Sequence, residues 1–181
     1  MLKINHHWPR AWVLLALLLG GNAHASSLCA NGNENTAITA TTPSADFSDN
    51  GDGTVIHHTT GLIWQRCSLG QSWDGTDCTG AATTFTWQQA LAAGAQHTLA
   101  GFSDWRLPNK NELASIVEYR CFYPAINSQM FPNMPSSGWY WSSSPNADNS
   151  NYAWYVHFNN GYVFHGNKDN YSHVRLVRAG Q

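Results

Sequence analysis

The alternation of apolar and polar positions predicts strand at both ends of the chain and helix in the middle. Residues 55–58 and 62–66 are apolar-rich runs around a Thr-Thr-Gly break, a pattern typical of a β-hairpin. The polar Asp-Asn-Gly-Asp-Gly stretch just before them, residues 49–53, indicates a glycine-rich turn.

Two capping patterns predict helices after this hairpin. Thr86 and Asn109 are each followed three residues later by Gln or Glu. In such a pair, the side chain of each residue can accept a hydrogen bond from the backbone N–H of the other, which marks a helix start. The first helix is expected to end near Gly94, because glycine suits a helix C-terminus. The second is expected over residues 110–119. Its apolar positions at helical spacing are Leu113, Ile116 and Val117.

The C-terminal third returns to a strand pattern. Strands are expected at residues 139–142, 152–158, 162–165 and 173–178, with an Asn-Asn-Gly turn at 159–161 joining the middle two. Alternation places Trp154, Val156 and Phe158 on one buried face, which leaves His157 on the exposed side. A hairpin, two helices and an antiparallel sheet form an α+β plan, with two helices packed on the sheet and long loops.

The first 25 residues have the three parts of a signal peptide. Lys3 and Arg10 are positively charged, residues 11–21 are apolar, and Ala-His-Ala at residues 23–25 is a cleavage site, with cleavage expected after Ala25. An uncleaved membrane anchor is the weaker alternative, because the apolar run is too short to span a bilayer. The chain is therefore expected to be secreted, periplasmic or held in the cell envelope.

The remaining chain is long enough for one domain. Residues 26–45 are small and polar and are expected to form an extended lead-in, and residues 46–181 the folded domain. Two of the nine basic residues lie in the leader, so seven remain against eleven acidic residues and the net charge becomes −4. This balance argues against a nucleic-acid or anionic-membrane partner. Charged residues are only 11% and aromatic residues 13%, so surface polarity must come from amides and hydroxyls.

Four cysteines follow the leader, an even number that favours two disulfides in an exported protein. Three pairings are possible. Cys67 and Cys78 bracket a short polar loop that a local bridge would close, which would leave Cys29 to join Cys121. Zinc is the competing interpretation, but the spacings fit no zinc ribbon or finger.

Five ordered motifs carry a resemblance to a known family. They are Asp-Asn-Gly-Asp-Gly-Thr (49–54), Thr-Gly-Leu-Ile-Trp (60–64), Gly-Phe-Ser-Asp-Trp-Arg-Leu-Pro-Asn (101–109), Tyr-Trp-Ser-Ser-Ser (140–144) and Val-Arg-Leu-Val-Arg (174–178). Together they resemble the domain of unknown function named for the C-terminal domain of the Legionella collagen-like adhesin. The resemblance implies a bacterial exported protein with a C-type-lectin-like fold, distantly related to formylglycine-generating enzymes. It implies no known reaction, and the chain lacks the adhesin's Gly-X-Y repeat.

The sequence favours neither a metal nor an enzyme site. A calcium loop set on the 49–53 turn would have Ser48 and Thr59 where anchoring carboxylates are needed, so no cofactor or metal is expected. The serines at 142–144 lack a nucleophile elbow. The related enzymes use cysteines near the C-terminus, and none follows Cys121. Asp104 and Arg106, two residues apart in an extended stretch, are expected to clamp the strand that leads into the second helix.

The stretch 146–173 is the candidate binding surface, with seven Asn, four Tyr and three His in 28 residues. Binding surfaces of antibodies favour the same mixture, because tyrosine gives large contact area at low entropic cost. The candidate ligand-binding residues are Tyr155, His157, Asn159, Tyr162, His165, Asn167, Asp169 and Tyr171. A sheet face kept soluble by amides is an equally good explanation of this composition.

The leading hypothesis is a non-enzymatic binding or adhesion module that recognises a glycan or a protein with its C-terminal sheet face. A structural or assembly component of the envelope with a fixed protein partner is the second hypothesis. A metal-dependent enzyme is a distant third.

Overall fold

The computed structural model describes residues 27–135 and 138–180, and the predicted signal peptide lies outside them. The elements in chain order are β1 (Phe47–Asp49), β2 (Thr54–His57), β3 (Leu62–Gln65), β4 (Ser72–Trp73), β5 (Cys78–Thr79), β6 (Thr84–Phe85), α1 (Trp87–Gln96), α2 (Lys110–Ala114), β7 (Trp139–Pro145), β8 (Tyr152–His157), β9 (Tyr162–Asn167), β10 (Ser172–His173) and β11 (Val177–Ala179). Strands and two helices share one chain, so the α+β class is confirmed. Within the described part, neither helix has the length and apolarity needed to cross a bilayer.

The strands form two main sheets and a small ribbon. The first sheet has the order β1-β2-β3-β11, the second β6-β10-β7-β8-β9, and β4 pairs with β5. The second sheet is mixed rather than purely antiparallel, because β10 runs parallel to β7. The predicted strand at 173–178 is also divided: β10 joins the second sheet and β11 the first. The end of the chain therefore belongs to both sheets.

Apolar clusters lie on both faces of the five-stranded sheet. Tyr140 and Val156 pack in the cluster that contains Leu113 of α2, whereas Trp141 and Ala153 pack in the cluster that contains Ala90 of α1. The expectation of one buried and one exposed face was therefore wrong. Cβ direction alternates along a strand, so a sheet between two helices buries residues of both parities.

Both helices begin where the capping patterns predict, with reciprocal hydrogen bonds at Thr86 and at Asn109. Their ends differ from the prediction. α1 continues to Gln96 with Gly94 buried inside it, because a Cβ there would lie 3.0 Å from the backbone nitrogen of Leu107. Gly94 thus allows close approach of two backbones instead of ending the helix.

The second helix is shorter than predicted and ends at Ala114 instead of residue 119. Ile116 and Val117 are fully buried as their spacing indicated, but Val117 forms an antiparallel bridge with Ile126. The apolar pattern therefore predicted burial correctly and secondary structure wrongly, since the backbone pairing of Val117 with Ile126 replaces the last helical turns.

Both expected disulfides are present. Cys67 joins Cys78 with a Cα–Cα distance of 5.4 Å, and Cys29 joins Cys121 with a distance of 5.3 Å. The first closes the loop that carries β4 and β5, and the second holds the lead-in against the domain. Bridges of this kind fit an oxidising compartment such as the cell exterior or envelope.

The charged pairs around α2 differ from the expected clamp. Asp104 does not pair with Arg106 but accepts a hydrogen bond from Nε of buried Arg178 at 2.7 Å. Arg106 binds Glu112 through two hydrogen bonds of 2.7 and 2.8 Å. Both residues have structural contacts as expected, but Asp104 pairs with β11 and Arg106 pairs with α2 instead of with each other.

The lead-in is fixed by one buried carboxylate. Glu118 is fully buried and accepts hydrogen bonds from the backbone amides of Thr41, Thr42 and Arg120 at 2.6 to 2.9 Å. The hydroxyls of both threonines add two more bonds, at 3.1 and 3.2 Å. Burial raises the pKa of Glu118, but these bonds outweigh it and hold the pKa below 4.5.

Replacement of Glu118 by glutamine is expected to destabilise the domain by about 1–3 kcal/mol at neutral pH, because an amide NH₂ then faces backbone donors. A carboxylate with a lowered folded pKa stabilises the fold above its unfolded pKa and loses this effect as the pH falls through the folded value. The difference between wild type and Glu118→Gln should therefore be full at pH 7 and shrink well below pH 4.5. Urea unfolding at both pH values measures it.

Asp148→Asn is the control for this substitution, since Asp148 is exposed and its carboxylate has no hydrogen bond in the described residues. We expect no change in unfolding free energy beyond about 0.5 kcal/mol for this variant. A Glu118→Gln protein as stable as wild type at pH 7 would contradict the role of the carboxylate.

Candidate ligand-binding face

Five aromatic rings from three strands lie on one face of the five-stranded sheet. We call this surface the aromatic face; it consists of Trp139 of β7, Tyr155 and His157 of β8, and Tyr162 and Phe164 of β9. Trp139 is opposite His157, which is opposite Tyr162, and Tyr155 is opposite Phe164. Directly paired residues point to the same side of a sheet, so the register brings the rings together.

The rings form a continuous surface that remains open to solvent. The ring centroid of Trp139 lies 3.8 Å from that of His157, in a stacked arrangement, and 4.3 Å from that of Tyr155. Tyr162 is 66% exposed and Phe164 55% exposed. Helix α1 packs over β7 and β6 farther along the same face, and among the described residues it leaves Tyr162 and Phe164 of β9 exposed.

A glycine positions the ring of Tyr155. Gly166 is opposite Ala153, two residues beyond Phe164 on β9, and a Cβ at Gly166 would collide with the Tyr155 ring. The Cε1 edge of the Tyr155 ring therefore points at backbone that has no side chain. This close approach explains why a glycine occupies the middle of an exposed strand.

The aromatic face carries no formal charge at neutral pH. Burial lowers the pKa of His157, and the hydrogen bond with Asn160 raises it by less, so the imidazole is neutral at pH 7. Burial raises the pKa of Tyr155, so its phenol keeps its proton. The surface thus offers apolar ring faces and a few neutral hydrogen-bonding groups.

A cleft of about 500 Å³ adjoins one end of this face. Asn167 of β9 lines it one residue beyond Gly166, and Leu91 of α1 lines it while packing in the same apolar cluster as Tyr155. Lys168 lies with its Nζ 4.2 Å from the ring centroid of Trp87 and donates to the carbonyl of Ser150 at 2.7 Å. The cleft therefore combines a tryptophan wall with amide and hydroxyl groups, one ammonium and one carboxylate.

The structure distributes the eight predicted ligand-binding residues over several places. Tyr155, His157 and Tyr162 lie together on the aromatic face, and Asn167 and Asp169 line the adjoining cleft. His165 is on the opposite face, with its ring centroid 5.4 Å from that of Tyr152 and 5.5 Å from that of Trp154.

The other two predicted residues lie outside both surfaces. Asn159 is in the β8–β9 turn, where its carbonyl accepts a hydrogen bond from the Tyr123 amide. Tyr171 is 66% exposed beside Ala92 and Ala93 on the far flank of α1. Five of the eight residues thus share one continuous region.

Two residues of the aromatic face, Trp139 and Phe164, were missed by the sequence analysis. Trp139 precedes the polar-rich stretch that defined the candidate region, and Phe164 is an apolar residue that composition assigns to the core. Strand alternation was the signal that could have found Phe164, since Tyr162 and Phe164 have the same parity on one strand.

The glycine-rich turn at residues 49–53 uses its carboxylates within the protein. Oδ1 of Asp49 accepts a hydrogen bond from the Gly51 amide, and its other oxygen pairs with Arg66 at 2.5 Å. Oδ1 of Asp52 accepts from the amide and hydroxyl of Thr54. No group of three or more His, Cys, Asp or Glu side chains with metal-binding geometry occurs among residues 27–135 and 138–180.

Comparison with known families agrees with the motifs. The model of the Lcl C-terminal domain matches residues 53–178, which is more than half of the chain. The chain belongs to the Lcl C-terminal domain family. Membership indicates an adhesin-related module. A comparison with curated proteins finds no match.

NMR titration is expected to give His157 a pKa below 6.5. Because the indole of Trp139 stacks on the imidazole and shields it from water, Trp139→Ala should move the pKa of His157 back toward 6.5. His57, whose pKa is also lowered by burial but which stacks on Phe47, serves as the internal control and should not change. Equal His157 titration curves in the two proteins would show that the stack does not shield the ring.

Proposed function

We propose that this chain is an exported bacterial, non-enzymatic binding module that recognises a neutral glycan through the aromatic face. The observation that carries the proposal is the uncovered surface of five rings, with Tyr162 and Phe164 more than half exposed. Apolar surface of this kind costs solubility unless a partner uses it, so a contiguous exposed patch points to a binding site.

A neutral carbohydrate has the chemistry that suits this surface. The C–H faces of sugar rings are apolar and can stack on aromatic side chains, while hydroxyls project at the ring edge as donors and acceptors. The face offers ring surfaces, and the adjoining cleft offers Asn151, Asn167 and Gln88 for the hydroxyls. Lys168 and Asp169 are the charged residues of the cleft lining and their charges cancel, so the cleft has no net charge that favours an anionic sugar.

The proposal includes a fold group and a location for the protein. We assign the fold to the C-type-lectin-like group, which is supported by the pairing of the C-terminal strand β11 with β3 beside the N-terminal strands and by the two disulfides. We assign the protein to the bacterial exterior or envelope, which is supported by the disulfides and by the family.

A fixed protein partner in the envelope is the second candidate, and one observation favours it. Strand β9, which carries Tyr162 and Phe164, is the edge of its sheet. An edge strand without charged residues can accept another strand by backbone hydrogen bonds, and β9 has the sequence Tyr-Val-Phe-His-Gly-Asn.

The decisive variants are Tyr162→Ala and Phe164→Ala, measured on an array of neutral oligosaccharides with the disulfide-bonded chain. Each is expected to weaken binding about tenfold, since loss of one stacked ring costs about 1.4 kcal/mol. Tyr171→Ala is the matched control, because Tyr171 is equally exposed but lies across α1 from the aromatic face. It should bind like wild type. A chelator should have no effect.

Unchanged binding by both variants would rule out the aromatic face as the site. A blank array together with one stoichiometric protein that copurifies with wild type, and not with Phe164→Ala, would instead support the protein partner.

A further inference from the structure

A second pocket lies beside the Cys67–Cys78 disulfide, on the side of the molecule built by the four-stranded sheet. It has a volume of about 270 Å³ and is lined by Gln65, Trp73, His97, Asp52, Leu99 and the sulfur-bearing Cys67. We call it the disulfide pocket. None of these residues belongs to the aromatic face or to the cleft next to it.

Three polar atoms of its lining residues are buried and have no hydrogen-bond partner in the described part of the chain. They are Oε1 of Gln65, Nε1 of Trp73 and Nε2 of His97. Gln65 is only 5% exposed, and its backbone is fixed by bonds to Leu176 and Arg175. Most buried polar groups in proteins are paired, so three unpaired ones around one pocket indicate that a bound molecule completes them.

The three atoms specify the chemistry of that molecule. The indole N–H of Trp73 only donates, the amide oxygen of Gln65 only accepts, and Nε2 of His97 does one or the other according to its tautomer. Burial lowers the pKa of His97, so the ring is neutral at pH 7 and provides no charge for an anion. A hydroxyl both donates and accepts, and adjacent hydroxyls can satisfy all three atoms.

The walls and the size restrict the ligand further. The ring of Trp73 is held in place by the guanidinium of Arg66, 4.1 Å from its centroid, and by Gly53, where a Cβ would lie 3.0 Å from the Trp73 Cβ. Leu99 and the disulfide add apolar surface. The volume is slightly below that of typical ligand sites, which span roughly 300–1,000 Å³, and equals that of about nine water molecules at about 30 Å³ each, so only a small ligand fits.

We infer that the disulfide pocket is a separate binding site for a single neutral sugar residue, held by Gln65, Trp73 and His97. It is independent of the aromatic face, so a glycan could be bound at two places on one chain. The Cys67–Cys78 bridge fixes the loop that brings Trp73 over Gly53, which makes the site a product of disulfide formation.

The test uses the ¹⁵N-labelled disulfide-bonded chain and follows the indole N–H signal of Trp73, assigned by its loss in Trp73→Phe. Glucose, galactose, mannose and N-acetylglucosamine are titrated separately. At least one sugar should shift this signal saturably. In Gln65→Met, which keeps the side-chain size but removes the acceptor, the midpoint should rise about tenfold. Gln96→Met, at an exposed glutamine of α1, should leave the midpoint unchanged.

Absence of any shift by the four sugars up to their solubility would mean that the pocket holds water only and would overturn the inference. An equal midpoint in wild type and Gln65→Met would overturn it as well. If Gln65→Met does not fold, His97→Phe takes its place with the same expected loss. Tyr162→Ala should leave the Trp73 titration unchanged, which separates this site from the aromatic face.

Discussion

The fold depends on the fully buried guanidinium of Arg175, which lies between the two main sheets. It donates to the backbone carbonyls of Gln65 and Arg66 at the end of β3, and its centre is 4.7 Å from the ring centroid of Phe131. Burial lowers its pKa to about 10, so the group remains charged at neutral pH. Loss of this side chain would leave buried carbonyls unpaired, which makes the residue a structural requirement.

This interaction explains why the short C-terminal segment serves two sheets. Arg175 lies between β10, which pairs with β7, and β11, which pairs with β3. With the guanidinium fixed on β3, the strand on either side of it is directed to a different sheet. Arg175 therefore lies where the C-terminal segment passes from the sheet that carries the aromatic face to the four-stranded sheet.

Local signals in the sequence were reliable for the features that depend on neighbouring residues. Both helix starts follow from a side chain and a partner three residues away, and the Cys67–Cys78 bridge follows from a short loop. The signals failed where a backbone contact outside the helix competes with the helical pattern. The pairing of Val117 with Ile126 ends α2 early, and the packing of Gly94 on Leu107 needs a helix to continue through a glycine.

The candidate surfaces could also be predicted only in part, because some of their residues are brought together by strand pairing and by the folding of separate segments. Composition predicted a binding face in the last third of the chain, and the structure groups three of the predicted residues, Tyr155, His157 and Tyr162, on the aromatic face. Trp139 could not be assigned, because its place beside His157 depends on the pairing of β7 with β8. The disulfide pocket was not predicted at all, since Gln65, Trp73 and His97 come from three segments that meet only in the folded chain.

The use of charge inside the molecule explains why recognition should be short-range. Four of the five arginines in the described chain pair with carboxylates, and Arg175 binds carbonyls. The lysines at 110 and 168 lie over the rings of Trp154 and Trp87. Eleven carboxylates outnumber these seven cations, so the described part of the chain does not attract an anionic partner over distances longer than a Debye length of about 8 Å. Ring stacking and neutral hydrogen bonds are left as the source of affinity. The aromatic face consists of such groups, and in the disulfide pocket Trp73, Gln65 and His97 provide them beside the carboxylate of Asp52.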